Sequence, residues 1–254
     1  MKNSPLLSSV PRWIAGTHRA VFALLLILTL AVSATRAQAQ TPAAVNSFND
    51  VKFWIGTGTN RAVLIIDWQD GLNVPGFTIG QAVAWGFQWQ DGATPTGLDM
   101  LNAIAAADPR LHLSFGNSAS FGTYLFGVGY DLNNNGGTFN FNSSPFAESG
   151  SASDPGDHIQ YGFNTNGYWE YLTSLSATTT LPASDGWDYA QFGLGATPVA
   201  NNTWDALVFS GYAANPDFDT ITPVGPMAAT PEPSAFLLAV CGGTVVLWRR
   251  RRRA

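Results

Sequence analysis

Two uncharged, mainly apolar runs, Ala20–Val32 and Ala235–Trp248, stand near the ends of the chain, and each adjoins basic residues. Between them, from Val51 onward, short aromatic and β-branched clusters are separated by Gly, Asn and Pro, the composition of strands and turns. The clearest period falls at 82–89. Val83, Trp85, Phe87 and Trp89 alternate with Ala82, Ala84, Gly86 and Gln88, which predicts a half-buried strand with its bulky side chains on one face. Further strands are predicted at Val51–Ile55 and Ala62–Trp68, a first pair joined by the turn Gly56–Asn60, and at Leu111–Phe115, Tyr124–Tyr130, Tyr168–Leu175, Tyr189–Leu194 and Trp204–Tyr212. One helix is predicted: Thr96 and Asp99 form its start, Leu98, Leu101, Ile104 and Ala105 share a face, and Asp108-Pro109 ends it. The expected fold is mainly β, a sandwich of about eight antiparallel strands with one packed helix. The polar stretch Asp131–Asp157 reads as a long loop, functional or mobile, and 215–230, rich in Pro, Thr, Gly and Ala, reads as a linker.

The two apolar runs are addresses. Lys2, Arg12 and Arg19 precede Ala20–Val32, and Ala37-Gln38-Ala39 supplies a small-x-small cleavage pattern, so a secretory signal peptide cut after Ala39 by signal peptidase is expected. Ala235–Trp248, as a helix rising about 1.5 Å per residue, covers about 20 Å of a hydrocarbon core of about 30 Å. The adjoining arginines lengthen it by snorkelling. A basic cluster beyond an apolar helix stays in the cytoplasm, so both ends place the intervening part outside it. The expected organisation is 1–39 signal peptide, 40–214 exported β-rich domain, 215–230 linker, and 231–254 sorting signal with a single transmembrane helix.

Pro231-Glu232-Pro233-Ser234, the apolar segment and the terminal Arg249, Arg250, Arg251, Arg252 and Arg253 together resemble the PEP-CTERM sorting signal of exported proteins of Gram-negative bacteria. The resemblance covers only the last two dozen residues. It implies that a membrane-embedded exosortase recognises Pro231, Glu232 and Pro233 and cuts near them, that the arginines stop transfer, and that the protein ends at the cell surface or outside the cell. It also implies an association with exopolysaccharide and biofilm.

Charge sharpens the picture of the middle. Nine of the twelve basic residues lie in the end segments, and between Gln40 and Thr230 only Lys52, Arg61 and Arg110 face sixteen Asp and Glu. Such a surface repels phosphate backbones, which argues against nucleic-acid binding and favours cations. The single cysteine, Cys241, falls inside the anchor, so the exported domain has neither disulfide nor thiol chemistry.

Candidate chemistry is sparse. Asp131-x-Asn133-x-Asn135-Gly136 matches the opening of a calcium loop, with oxygen side chains at alternate positions and Gly at the sharp turn. The position that closes such loops with Glu holds Asn142, and Asp154 or Asp157 could supply the missing carboxylate. An Asn-rich turn without metal fits the same residues. Seven tryptophans lie in the domain, most of them needed as core filler; Trp169 and Trp187, with polar neighbours, are the candidates for exposed glycan-stacking faces. Gly56–Asn60 lacks the Lys-Ser/Thr of a phosphate cradle. For catalysis the domain offers His112, expected to be structural, His158 on a loop, and Glu148 with Glu170 as a conceivable glycosidase pair. The first reading is therefore a structural or adhesive component of the envelope or matrix, the second a carbohydrate-binding module, and the third a glycan-acting hydrolase.

Overall fold

The computed structural model describes residues 43–71, 82–118, 122–213, 215 and 221–231. All of these belong to one compact unit, Thr41–Ala254. The described residues are mainly β with one α-helix. In chain order the elements are β1 (Trp54–Gly56), β2 (Asn60–Asp67), β3 (Ala82–Trp89), α1 (Gly97–Ala107), β4 (Leu111–Ser118), β5 (Gly122–Tyr130), β6 (Phe139–Asn142), β7 (Ser149–Ala152), β8 (His158–Tyr161), β9 (Gly167–Ser174), β10 (Trp187–Tyr189), β11 (Thr203–Gly211) and β12 (Met227–Ala228).

The main sheet runs β1-β3-β2-β11-β9-β10, and β12 joins β3 as well. Its pairing is mixed, where an antiparallel set was expected: β2 and β11 run parallel, as do β1 and β3, and β12 and β3. The expected β1–β2 hairpin does not form either. β3 lies between the two, parallel to β1 and antiparallel to β2, so the loop after β1 must step over the end of β3. Glycine permits the crossing: a Cβ on Gly56 would stand 2.3 Å from the Gln88 carbonyl oxygen, and one on Gly58 1.9 Å from that of Trp89.

Both faces of this sheet are covered. Trp85, Phe87 and Trp89 of β3, Leu64 and Ile66 of β2, and Leu207 and Phe209 of β11 share one cluster with Met100, Leu101 and Ile104 of α1. Val63, Ile65, Ala82, Ala84, Trp204 and Val208 face the other way, beneath Val45, Phe48 and Val51. β3 is thus buried on both sides rather than one, and the alanines of its second face leave room for those neighbours. The helix forms where its capping residues predict. Thr96 Oγ1 accepts from the Asp99 amide at 3.3 Å while Asp99 Oδ2 accepts from the Thr96 amide at 2.9 Å, a reciprocal cap.

The second sheet is antiparallel, β4-β5-β8, and two tryptophans fasten it to the first. Trp68 donates its indole N–H to the Val128 carbonyl at 2.9 Å, and Trp85 meets the Tyr130 ring edge-on at 5.4 Å between centroids. The stretch 131–157, expected as one loop, contains the hairpin β6–β7. Its aromatic side chains lie on β5 where glycine leaves room: a Cβ on Gly129 would stand 2.3 Å from the Phe139 ring, and one on Gly127 2.5 Å from that of Phe141.

The expected linker is part of the fold from residue 221 to 230. β12 occupies the edge of β3 beside β1, Ala229 donates to the Ala84 carbonyl at 3.0 Å, and Met227, Ala228 and Ala229 are buried. Arg110 Nη2 donates to the Thr230 carbonyl at 2.7 Å. The strap also meets the start of the described chain, because Val45 donates to the Pro226 carbonyl and Ala228 to that of Ala43, each at 2.9 Å. Backbone groups of an unpaired edge seek partners, and this short apolar segment supplies them to β3.

Among the described residues no helix is long and apolar enough to cross a membrane. The segments read as signal peptide and anchor, with Ala37, Ala39, Glu232, Pro233 and Arg249 to Arg253, lie outside the described residues. Pro231 is described and is exposed.

Candidate functional site

Two loops meet beyond β5: residues 131–137, which lead into β6, and residues 153–157, which lead from β7 into β8. Asp131 is buried and organises the first. Its Oδ1 accepts from the Asn135 amide at 3.1 Å, and its Oδ2 from the amides of Gly136 at 2.9 Å and Gly137 at 3.0 Å. The chain can turn this tightly because Asn134 and Gly136 take left-handed backbone angles, φ 53° and 88°.

Asp154 closes on the same loop. Its Oδ2 accepts from Asn133 Nδ2 at 2.9 Å and from Asn135 Nδ2, and its Oδ1 from the Gly156 amide at 2.8 Å. Asp157 approaches from the other side, 1 % exposed, with Oδ1 accepting from the Leu132 amide at 3.1 Å and Oδ2 buried without a hydrogen-bond partner. That orphan oxygen faces Gly137. A Cβ there would stand 2.3 Å from Asp157 Oδ2 and 3.7 Å from Asn135 Oδ1, so both oxygens lie near the same side of this residue and only glycine admits Asp157. Asp157 also lines, with Asp70, Asp154, Ser151, Pro155 and Ile159, an open cavity of about 350 Å³.

Electrostatics sets the two carboxylates apart. The Gly156 amide and then the Asn133 and Asn135 side chains hold Asp154 below the usual carboxylate range. Burial, with the neighbouring charges of Asp131 and Asp154, pushes Asp157 up to about 6. The residues singled out by spacing, Asp131, Asn133 and Asn135, are therefore brought together with Asp154 and Asp157. Asn142 is not part of the group. It sits at the end of β6, where its Nδ2 donates to the Ala147 carbonyl and its Oδ1 accepts from the Ser144 amide. Among the described residues no three His, Cys, Asp or Glu side chains form a ready cage for a metal, so amide oxygens would have to complete any coordination here.

No family model, curated protein or solved structure matches the chain.

The other candidates fare differently. Trp169 and Trp187 are each only 9 % exposed, which removes them as glycan-stacking faces. Trp169 packs edge-on against Phe209 at 5.4 Å, and Trp187 joins the cluster on the second face of the main sheet. Their polar sequence neighbours mislead because adjacent strand residues point to opposite faces. His158 is buried at the start of β8, stacked on Trp68 at 4.8 Å, with Nδ1 2.9 Å from Asp70 Oδ2 and Nε2 without a partner. His112 lies in β4, its ring 4.7 Å from that of Phe139.

Glu148 and Glu170 each answer to separate donors. Glu148 accepts from the amides of Phe163, Asn164 and Thr165 and from the Thr165 hydroxyl, bonds that outweigh burial and hold its carboxyl below the usual value. Glu170, on β9, accepts from the Tyr168 hydroxyl at 3.2 Å and the Ile221 amide at 3.3 Å, and burial pushes it up.

Sequence reasoning passed over three further groups. Asp67 accepts from the Val224 amide at 2.8 Å, Asp205 accepts from Tyr171, and Thr197 Oγ1 is buried without a partner. The first two were open to detection, each being a lone carboxylate in an otherwise apolar strand.

Proposed function

We propose that this is an exported, exosortase-sorted protein of a Gram-negative cell surface or extracellular matrix, with a structural or adhesive role linked to exopolysaccharide. Its β domain is read as a sandwich-like body in which the three-stranded sheet packs on the main one. Signal peptidase and exosortase are its processing partners, and the C-terminal helix holds it in the membrane until the cut.

The observation that carries the reading is the position of Pro231. The packed strap ends with Thr230, held by Arg110, and the next residue is exposed and opens the Pro-Glu-Pro motif. Support also comes from the opposite end of the described chain, since Ala43, a few residues beyond the expected cleavage after Ala39, lies beside Ala228. Two address segments would then flank a body that begins and finishes at one place. Phe146, 98 % exposed between β6 and β7, and Phe192, 77 % exposed, are the side chains an adhesive contact would use.

The test is a Glu232→Ala chain expressed in a host that carries an exosortase. Export should continue while the protein accumulates, uncut, in the membrane fraction. Identical fractionation of the variant and the unaltered chain would remove the motif from the account.

A further inference from the structure

We propose that the loops 131–137 and 153–157 form a binding site for a hard divalent cation, calcium, in which Asp157 supplies the principal charged ligand. This inference rests on the domain alone and is independent of how the chain is sorted.

The orphan oxygen of Asp157 carries the argument. A buried carboxylate oxygen with no donor is costly, and this one lies against Gly137 of the loop, near a second acceptor, Asn135 Oδ1, and beside the carboxylates of Asp131 and Asp154. An unpaired carboxylate oxygen with other acceptors this near calls for a positive charge beside it. A calcium ion, with oxygen ligands at about 2.3–2.6 Å, supplies that charge and can bridge oxygens up to about 5 Å apart. No lysine or arginine takes that role, since Lys52, Arg61 and Arg110 are the only basic residues between Gln40 and Thr230. Arg110 is engaged with Asp108 and Thr230, and Arg61 with Asn202 and the Phe48 ring.

The donor set also selects the ion. All the side-chain acceptors of the two loops are oxygens: Asp157 Oδ2 is unpaired, Asn133 Oδ1 accepts from the Asn135 amide at 3.1 Å, Asp154 accepts from Asn133, Asn135 and Gly156, and Asp131 shapes the loop through its three backbone bonds. Histidine enters only as His158, whose Nδ1 faces Asp70, so zinc is disfavoured. The open cavity beside Asp154 and Asp157 admits the waters that complete a calcium shell. Because the loops join β5 to β6 and β7 to β8, an ion bound there would tie the hairpin to the second sheet.

The experiment is calorimetric titration of the full chain in detergent with calcium chloride, repeated with magnesium chloride and with two variants. The unaltered chain should bind one calcium with a dissociation constant of roughly 10⁻⁴–10⁻³ M, the range of extracellular sites, and magnesium should not compete at equal concentration. Asp157→Asn keeps the acceptor for the Leu132 amide and removes the repulsion from Asp131 and Asp154, so the fold should persist while calcium affinity falls at least tenfold. Asn135→Asp adds a carboxylate to the same loop and should tighten binding severalfold. Equal affinities for the unaltered chain and Asp157→Asn, or no saturable heat up to 10-fold above that range, would overturn the proposal. So would Asn135→Asp binding more weakly than the unaltered chain.

Discussion

Tyr171 donates its hydroxyl to Asp205 Oδ1 at 3.2 Å inside the protein, while Asp205 Oδ2 is buried without a partner. One hydrogen bond does not replace water around a carboxylate, and burial pushes Asp205 up to about 7. Burial likewise pushes Asp67 up to about 6. A folded-state pKa raised in this way adds stability that is complete below the unfolded value near 4 and is lost progressively as the pH climbs from there through the folded values of 6 to 7. Asp50 and Asp99, held low by bonds to Ser47 and to the Thr96 cap, act in the opposite sense and lose their contribution as the pH falls below about 4. Stability should therefore peak near pH 4 and decline towards pH 7.5, with Asp205 alone contributing roughly 4 kcal/mol to the decline over that whole range. Urea midpoints measured across that window check it. Asp205→Asn should flatten the slope most between pH 6 and 7, above the values of Asp67 and Asp157, and an unchanged slope there would show that Asp205 is not the buried charge responsible.

Trp85 combines shape and hydrogen bonding at the junction of the two sheets. It is fully buried, donates to Asp108 Oδ2 at 2.9 Å and meets Tyr130 edge-on. Trp85→Ala should cost about 3–5 kcal/mol, read as a fall in melting temperature, whereas Trp85→Phe should cost less because the ring is largely kept.

Some of this was legible in the sequence. β3 and α1 stand where the period of two and the Thr96/Asp99 cap put them, because both signals are local. The partners of β3 were not legible, since its pairing with β1 and β12 and the parallel pairing of β2 with β11 join segments far apart in the chain, and no local pattern encodes a parallel neighbour. Met227-Ala228 is too short to show a period at all. Its strand character comes from the free edge of β3. The hairpin β6–β7 had a faint signal that was missed: Gly127-x-Gly129 facing Phe139-x-Phe141, bare backbone matched to two rings at the same spacing. At the candidate site the spacing of Asp131, Asn133 and Asn135 predicted the loop, but the approach of Asp157 depends on the hairpin that brings residue 157 back.

That Gly–Phe match makes a local prediction. Gly129→Val should drive a side chain into the Phe139 ring and detach the hairpin while leaving the main sheet intact. Amide hydrogen exchange should then speed up across residues 139–152 and stay unchanged across β2, β3 and β11. Uniform acceleration throughout would mean that the hairpin is not a separable unit.

Arg110 makes the strap part of the core. It pairs with buried Asp108 at 2.8 Å, lies over the Tyr130 ring at 5.0 Å, and holds the Thr230 carbonyl. Arg110→Ala leaves Asp108 buried without its cation and should cost about 3–5 kcal/mol. It should also loosen residues 226–230, so limited proteolysis should cut there in the variant before it cuts elsewhere.

The most direct test of the proposed export and sorting is the intact mass of the protein isolated from its native host. The account predicts a chain that begins at Gln40 and ends near Pro231, with both address segments gone and the domain between them whole. A mass corresponding to all 254 residues would contradict it.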